Sequence, residues 1–208
     1  AKVGMIFVEE NRRTKLTWTM ASKLPIFLFW MRKSMESAMA MDYDRGLLML
    51  KSLIETGGIP SRLSFEGSEE FPGLSGVGLR RSCRIDEMAG RMEGDLAKVR
   101  ERYPAGVGYC VYDRWDPVKG AVSYRIGVCR EELPDGIADD FEVIPIPAGR
   151  VYVVKHTGPY RFLGNGWAAG MMHGRSRQFR HAGMFPPFEI YEVEDEKNPM
   201  VKICLPMK

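Results

Sequence analysis

YCVYDRWDPVKGAVSYRIGV, residues 109–128, and FEIYEVEDEKNPMVKICLPM, residues 188–207, align without a gap at one offset. The tyrosines give 191 − 112 = 79 and the valines give 201 − 122 = 79. Each copy is a pair of β-prone runs around a polar turn, DPVKG in the first and EDEKN in the second. EDEKN, around Glu194 and Glu196, reads as a solvated loop. Ahead of each pair stands another β-prone run and a helical segment. The first unit reads as strand 74–81, helix 86–101, strand 107–113 and strand 121–130. The second reads as strand 149–156, helix 159–181, strand 188–193 and strand 200–207. The expected fold class is therefore α+β, with two tandem β-α-β-β units in a pseudo-two-fold arrangement. Neither unit is large enough to bury its own sheet, so the pair must share a core.

The segment before the repeat has a different character. Residues 4–10 and 15–21 are apolar β-prone runs joined by Asn11, Arg12 and Arg13, a hairpin pattern. Leu16 and Trp18 alternate with Thr17 and Thr19, which suits a half-buried strand. Pro25 fits the first turn of a helix. Met31, Met35, Met39, Tyr43, Leu47, Leu50 and Ile54 then recur at helical spacing to about Glu55. TGGIPS, residues 56–61, ends that helix and serves as a linker. The expected division is residues 1–60, hairpin and long helix, followed by residues 61–208.

Bulk properties exclude several classes. Of the 208 residues 45% are hydrophobic and 27% charged, the mix of a soluble globular protein with ample core material. The net charge of +3 is small and the cations are scattered, so a nucleic-acid partner is not expected. Cys83, Cys110, Cys129 and Cys204 show no CxxC spacing, and the three histidines form no HxxxH pair. Neither a metal site nor a disulfide framework is signalled, no cofactor is implied, and free thiols suit a reducing cytoplasm. LPIFLFWM, residues 24–31, is about half the length that a membrane span needs. No charged n-region precedes it, so neither a signal peptide nor a membrane is expected. The chain starts at Ala1 without a methionine, as a fragment or a processed protein would.

The second helical segment is rich in glycine. Gly166, Gly170 and Gly174 make a smooth stripe, with a shorter counterpart in Gly90 and Gly94. Leu163, Trp167 and Met171 form an apolar ridge beside it. Two readings follow: close packing of the helix on a sheet, or a groove for a flat hydrophobic molecule.

VYVVKHTGPYRFLGNGWAAGMMH, followed by PPFEIYE and a terminal KICLPM, resembles the GyrI-like small-molecule-binding domain. That domain is also the effector-binding part of some AraC- and MerR-type regulators. The motif elements are His156-Thr157-Gly158-Pro159-Tyr160, Trp167, Tyr191 and Pro206, and the match spans roughly residues 66–208. The resemblance implies two β-α-β-β modules with a ligand cleft between them. TKLTWTM, followed by a helix ending DYDRGLLMLKSLIE, resembles the last strand and C-terminal helix of a polyketide-cyclase-like (SRPBCC, helix-grip) domain. Only that tail is present, so residues 1–60 are expected to pack on the following domain or across a homodimer, where methionines suit an adaptable interface.

Strand alternation puts Glu189 and Tyr191 on one face of their strand, and Phe188, Ile190 and Glu192 on the other. On the last strand Val201, Ile203 and Leu205 form the core face, which sends Lys202 and Cys204 toward the expected cleft. By the repeat offset Cys110 and Tyr112 correspond to Glu189 and Tyr191. The candidate binding residues are Tyr112, Trp115, Tyr152, Trp167, Met171, Glu189, Tyr191 and Lys202. Aromatic walls with a carboxylate at the floor suit flat hydrophobic molecules, cations among them. Tyr112 and Tyr191 as core aromatics, Trp115 as a surface turn residue and Glu189 as an exposed carboxylate are the plainer readings. His156 and His173 read as structural, since no catalytic motif accompanies them.

Members of the resembled family usually carry a glutamate on the last strand, where this chain has Lys202 and Cys204. A lysine inverts the sign of the cleft floor unless it swings out or pairs with Glu189. Three functions follow. The first is a stand-alone small-molecule-binding protein for sensing or sequestration. The second is a hydrolase of cyclopropanoid-type genotoxins, with Glu189 and Tyr191 as its catalytic residues. The third is a gyrase-inhibitor-like interaction protein. A DNA-reading regulator is not expected, because residues 1–60 lack a helix-turn-helix pattern.

Overall fold

The computed structural model describes residues 1–130, 132–134, 136–193, 195 and 198–208. Most of the EDEKN turn, including Glu194 and Glu196, lies outside the described residues. The chain forms two compact units, Ala1–Leu48 and Met49–Lys208.

The smaller unit is a hairpin and a helix. Strands β1 (Lys2–Glu10) and β2 (Arg13–Ala21) pair in an unbroken antiparallel register. Asn11 and Arg12 both take positive φ, the geometry of a two-residue hairpin turn that matches strand twist. A 3-10 turn, Ile26–Met31, follows Pro25 and leads into helix α1 (Arg32–Thr56), which runs past this unit. Within the unit Trp18 stacks on Tyr43, with ring centroids 4.3 Å apart. Gly46 leaves room for that indole, whose ring edge would sit 3.1 Å from an added Cβ.

The larger unit carries both repeats. The first is β4 (Leu74–Arg84), α2 (Met88–Arg102), β5 (Val107–Asp116) and β6 (Ala121–Cys129), and β3 (Arg62–Phe71) precedes it. The second is β8 (Gly149–Thr157), α3 (Gly164–Arg175), β9 (Phe188–Val193) and β10 (Met200–Pro206), and β7 (Glu142–Ile146) precedes it. All eight strands join one sheet in the order β3-β8-β10-β9-β5-β6-β4-β7. This is the expected α+β architecture, enlarged by two strands.

Those added strands are exchanged between the repeats. β3 leads into the first repeat but pairs with β8 of the second, and β7 leads into the second but pairs with β4 of the first. The chains cross where Gly73 meets Ala148. Gly73 takes φ 82°, and a Cβ there would lie 2.9 Å from the Ala148 amide nitrogen. Only glycine combines that dihedral with so close an approach.

The second helix is shorter than its pattern suggests. A 3-10 turn, Tyr160–Phe162, precedes α3, which stops at Arg175, and Arg177 then takes φ 63°. Past that point buried Phe179 stacks on Tyr152, and Phe185 packs with Phe188. The glycine stripe of α3 is used for close packing. A Cβ at Gly166 would meet Ile203, one at Gly170 would meet Leu205 and Val154, and one at Gly174 would meet His181. Gly90 and Gly94 of α2 differ, because an added Cβ at either meets nothing within 4 Å.

Three clusters make the core. Val77, Leu79, Tyr124, Ile126, Val128 and Val201 meet Met92 and Val99 of α2. Tyr152, Val154, Ile203 and Leu205 lie under α3 with Phe179. Tyr109, Val111, Val151, Val153, Phe188 and Cys204 pack on the opposite side of the sheet.

Candidate functional site

Cross-strand register decides which side chains share a face. On the central pair of strands Cys110 lies opposite Glu189 and Gly108 opposite Tyr191. On the neighbouring pair Ile203 lies opposite Glu189 and Val201 opposite Tyr191. Directly opposed residues project to the same side. Glu189, Tyr191, Cys110 and Tyr112 therefore share the face that carries the helices.

Cys110 and Glu189 occupy equivalent positions of the two repeats, since 110 + 79 = 189, and they pair with each other. The pseudo-two-fold axis runs through that pair. Tyr112 and Tyr191 are exchanged by the same axis, and both donate to one carboxylate. Tyr112 Oη donates to Glu189 Oε1 at 3.0 Å, and Tyr191 Oη donates to Oε2 at 3.0 Å. From α3, Trp167 Nε1 donates to Oε1 at 2.5 Å.

The surrounding rings stand on edge. Tyr112 and Trp167 are T-shaped at 5.1 Å, and Tyr160 meets Tyr191 edge-on at 5.9 Å. Met92 of α2 brings its sulfur to 3.8 Å from the Tyr112 hydroxyl. Glu189 is 0% exposed, Tyr112 and Trp167 are half-buried, and Tyr160 is exposed. The carboxylate thus lies beneath a rim of aromatic rings that reaches solvent.

Its electrostatics follow from that burial. Loss of water pushes the Glu189 carboxyl above the usual carboxylate range, against the pull of its three hydrogen bonds. Burial and the neighbouring Glu189 push both tyrosines well above the ordinary phenol range, so they remain donors at neutral pH. Burial, then Glu189, likewise holds the Cys110 thiol protonated. Among the described residues the three donors on Glu189 are all neutral, so the charge of its ionised form is left without a cation.

The other expected site residues lie elsewhere. Trp115 is 40% exposed near the end of β5. Tyr152 is buried on β8, stacked on Phe179 at 4.4 Å, with its hydroxyl 2.7 Å from His173 Nδ1. Met171 points outward from α3, 42% exposed. Lys202 requires a correction. It lies opposite Ile190 and Lys155, on the face away from Glu189, and its amine meets Glu192 at 3.3 Å and Glu69 at 3.8 Å. Burial opposes that lysine's charge, but the hydrogen bond it donates to Glu192, together with the charges of Glu192 and Glu69, outweighs burial and raises its pKa.

The carboxylate of this far-face cluster has a paired counterpart in the first repeat. Glu192 is the counterpart of Asp113 at the offset of 79, and it takes Lys155 at 3.1 Å while Asp113 takes Arg125 at 2.7 Å and Arg80 at 3.6 Å. At the same offset Lys202 corresponds to Ser123 and Arg125 to Cys204, so the repeats share the paired carboxylate but not its cations, and Lys202 belongs to an ion cluster of the second repeat. Cys204 lies on that face too, packed with Val151 and Phe188.

His156 is fully buried, and its Nε2 is 3.1 Å from Ser61 Oγ, which also accepts from Asn165 Nδ2 at 3.0 Å. Its Nδ1 has no hydrogen-bond partner among the described residues, so no carboxylate orients the ring for nucleophilic chemistry. Burial lowers the pKa of the imidazole. No group of three or more His, Cys, Asp and Glu among the described residues is placed to hold a metal ion. Tyr160 and Met92 join the site without a local sequence signal for that role. Tyr160 stands inside the HTGPY motif, but only the tertiary fold sets it against Tyr191.

No protein-family model matches the chain, and no curated protein matches it. Solved structures do. SAV2435, solved with tetraphenylphosphonium bound, superposes with a TM-score of 0.50 at 18% identity, over 70% of this chain and 94% of that one. The EcmrR C-terminal domain gives 0.51 at 16% identity, over 71% and 98%. EcmrR in its DNA complex gives 0.55 at 15% identity, over 85% and 70%. At these identities the likeness is one of fold, and that fold is GyrI-like. No helix among the described residues is long and apolar enough to cross a membrane.

Proposed function

We propose that the larger unit binds flat, hydrophobic, positively charged small molecules between its two repeats, as a sensing or sequestering protein. The ligand's charge is set against Glu189 and its apolar body among Tyr112, Trp167, Tyr191 and the exposed Tyr160. One observation carries this reading: a fully buried carboxylate whose three hydrogen-bond donors, Trp167, Tyr112 and Tyr191, are all neutral. A cation brought to that carboxylate relieves the cost of a buried, unpaired charge. Each aromatic face adds roughly 0.5–2 kcal/mol of cation–π attraction, more as water leaves. The fold shared with SAV2435, which holds tetraphenylphosphonium, supports a hydrophobic cation as the probe.

Tetraphenylphosphonium and a rhodamine-type dye test the reading by calorimetry and thermal shift. Both raise the melting temperature in a concentration-dependent way, and Glu189→Gln weakens both at least tenfold. Absence of any shift with either compound, or equal binding by Glu189→Gln, contradicts it.

A further inference from the structure

We propose that β1 is the seam of a homodimer, joined antiparallel to the β1 of a second copy of this chain across a two-fold axis at Ile6. In the smaller unit β1 pairs with β2 alone, as a two-stranded sheet among the described residues. Among the described residues no strand pairs with its other edge, which runs for nine residues without proline or a break in register. Two-stranded sheets are marginal in water, and an open apolar edge is a template for a further strand. Met5 and Phe7 lie opposite Trp18 and Leu16 on the helix-bearing face, yet Phe7 stays 65% exposed.

Charge selects a second copy as the occupant. β1 reads KVGMIFVEE, with a cation at one end, two anions at the other and only uncharged residues between. An antiparallel strand of the same sequence is therefore its electrostatic complement. β2 carries only cations, Arg13 and Lys15, and two such edges have no matching anions. Glu10's ion pair with Lys15 is long, 4.0 Å, and exposed, so it competes weakly.

The pleat narrows the register. A two-fold axis perpendicular to the sheet keeps both α1 helices on one side, so odd-numbered residues face odd-numbered ones. Centring on Ile6 sets Lys2 against the partner's Glu10 twice, and Met5 against the partner's Phe7 on the helix face. A methionine–aromatic pair of that kind is favourable. The result is a four-stranded sheet, β2-β1-β1-β2, with an isologous seam.

Sedimentation of the full chain at tens of micromolar tests this. The expected species has twice the 23.6 kDa chain mass. Ile6→Lys, at a half-exposed position that does not endanger the fold, yields the monomer. Lys2→Glu weakens the dimer at least tenfold, and adding Glu10→Lys restores it. Ile6→Cys cross-links to itself under mild oxidation, whereas Thr17→Cys on β2 does not. A monomeric wild type overturns the proposal, as does a dimer that survives Ile6→Lys. A monomer that pellets with anionic phospholipid vesicles also overturns it and assigns the apolar face to a membrane surface.

Discussion

Cys110 and Glu189 oppose each other across the central strand pair at equivalent positions of the two repeats. One sequence position thus became a carboxylate in one copy and an apolar thiol in the other. The two symmetry-related tyrosines, Tyr112 and Tyr191, both turn to the copy that kept the charge. A single anion at the axis can serve one ligand held by both halves, whereas two anions there would repel each other.

Glu189→Gln separates stability from binding. The amide oxygen still accepts from Trp167 and Tyr112, its NH2 donates to the Tyr191 hydroxyl, and the buried charge is gone. The expected outcome is a ligand-free protein more stable than wild type by about 1 kcal/mol or more at neutral pH, within the range known for replaced buried charges. Chemical denaturation checks this alongside the tenfold loss of tetraphenylphosphonium affinity.

The pH dependence has a definite sign. The Glu189 pKa is raised in the folded state, chiefly by burial, so the folded state holds this proton more tightly than the unfolded chain does. Stability from this group is therefore greatest when it is protonated. It falls as pH rises from the ordinary 4.5 through the raised value. Glu189→Gln flattens that part of the profile, so subtracting the two curves isolates the group.

Glycines of the two helices respond oppositely to substitution. Gly166→Val sends its side chain into Ile203 and His156 and costs about 1–3 kcal/mol through overpacking. Gly94→Ala meets nothing within 4 Å and stabilises by roughly 0.5–1 kcal/mol through helix propensity. Urea midpoints of the two variants check both signs.

Lys202→Met leaves tetraphenylphosphonium affinity within about twofold, because the lysine sits across the sheet from Glu189. Its loss costs at most about 1 kcal/mol, the range for partly exposed ion pairs. A tenfold gain in cation affinity would instead put the lysine's charge within reach of the site.

The duplication was legible because each strand–turn–strand segment aligns without a gap, so one offset aligns Tyr112 with Tyr191 and Val122 with Val201. β3 and β7 were not legible. β3 breaks its alternation at Gly67, where the register shifts, and β7 has five residues, one of them Pro145. Alternation correctly grouped Glu189 with Tyr191, but it cannot say which face of a neighbouring strand lies beside them. That is a matter of register. The site uses the same face as Ile203 and Val201, so the inference that Lys202 pointed toward it was inverted. The α3 glycines admitted two readings in sequence, and the contacts to Ile203, Leu205 and Val154 decide for helix-on-sheet packing. Tyr160 and Met92 reach the cluster from distant parts of the chain, which local pattern does not encode.

A crystal structure of the chain grown with tetraphenylphosphonium locates the ligand outright. The phosphonium is expected beside the Glu189 carboxylate, its phenyl rings within about 6 Å of the Tyr112, Trp167 and Tyr191 centroids. Trp167 or a tyrosine hydroxyl is expected to have moved off the carboxylate to admit it. Phosphonium density on another surface, with the three hydrogen bonds to Glu189 intact, would contradict that placement.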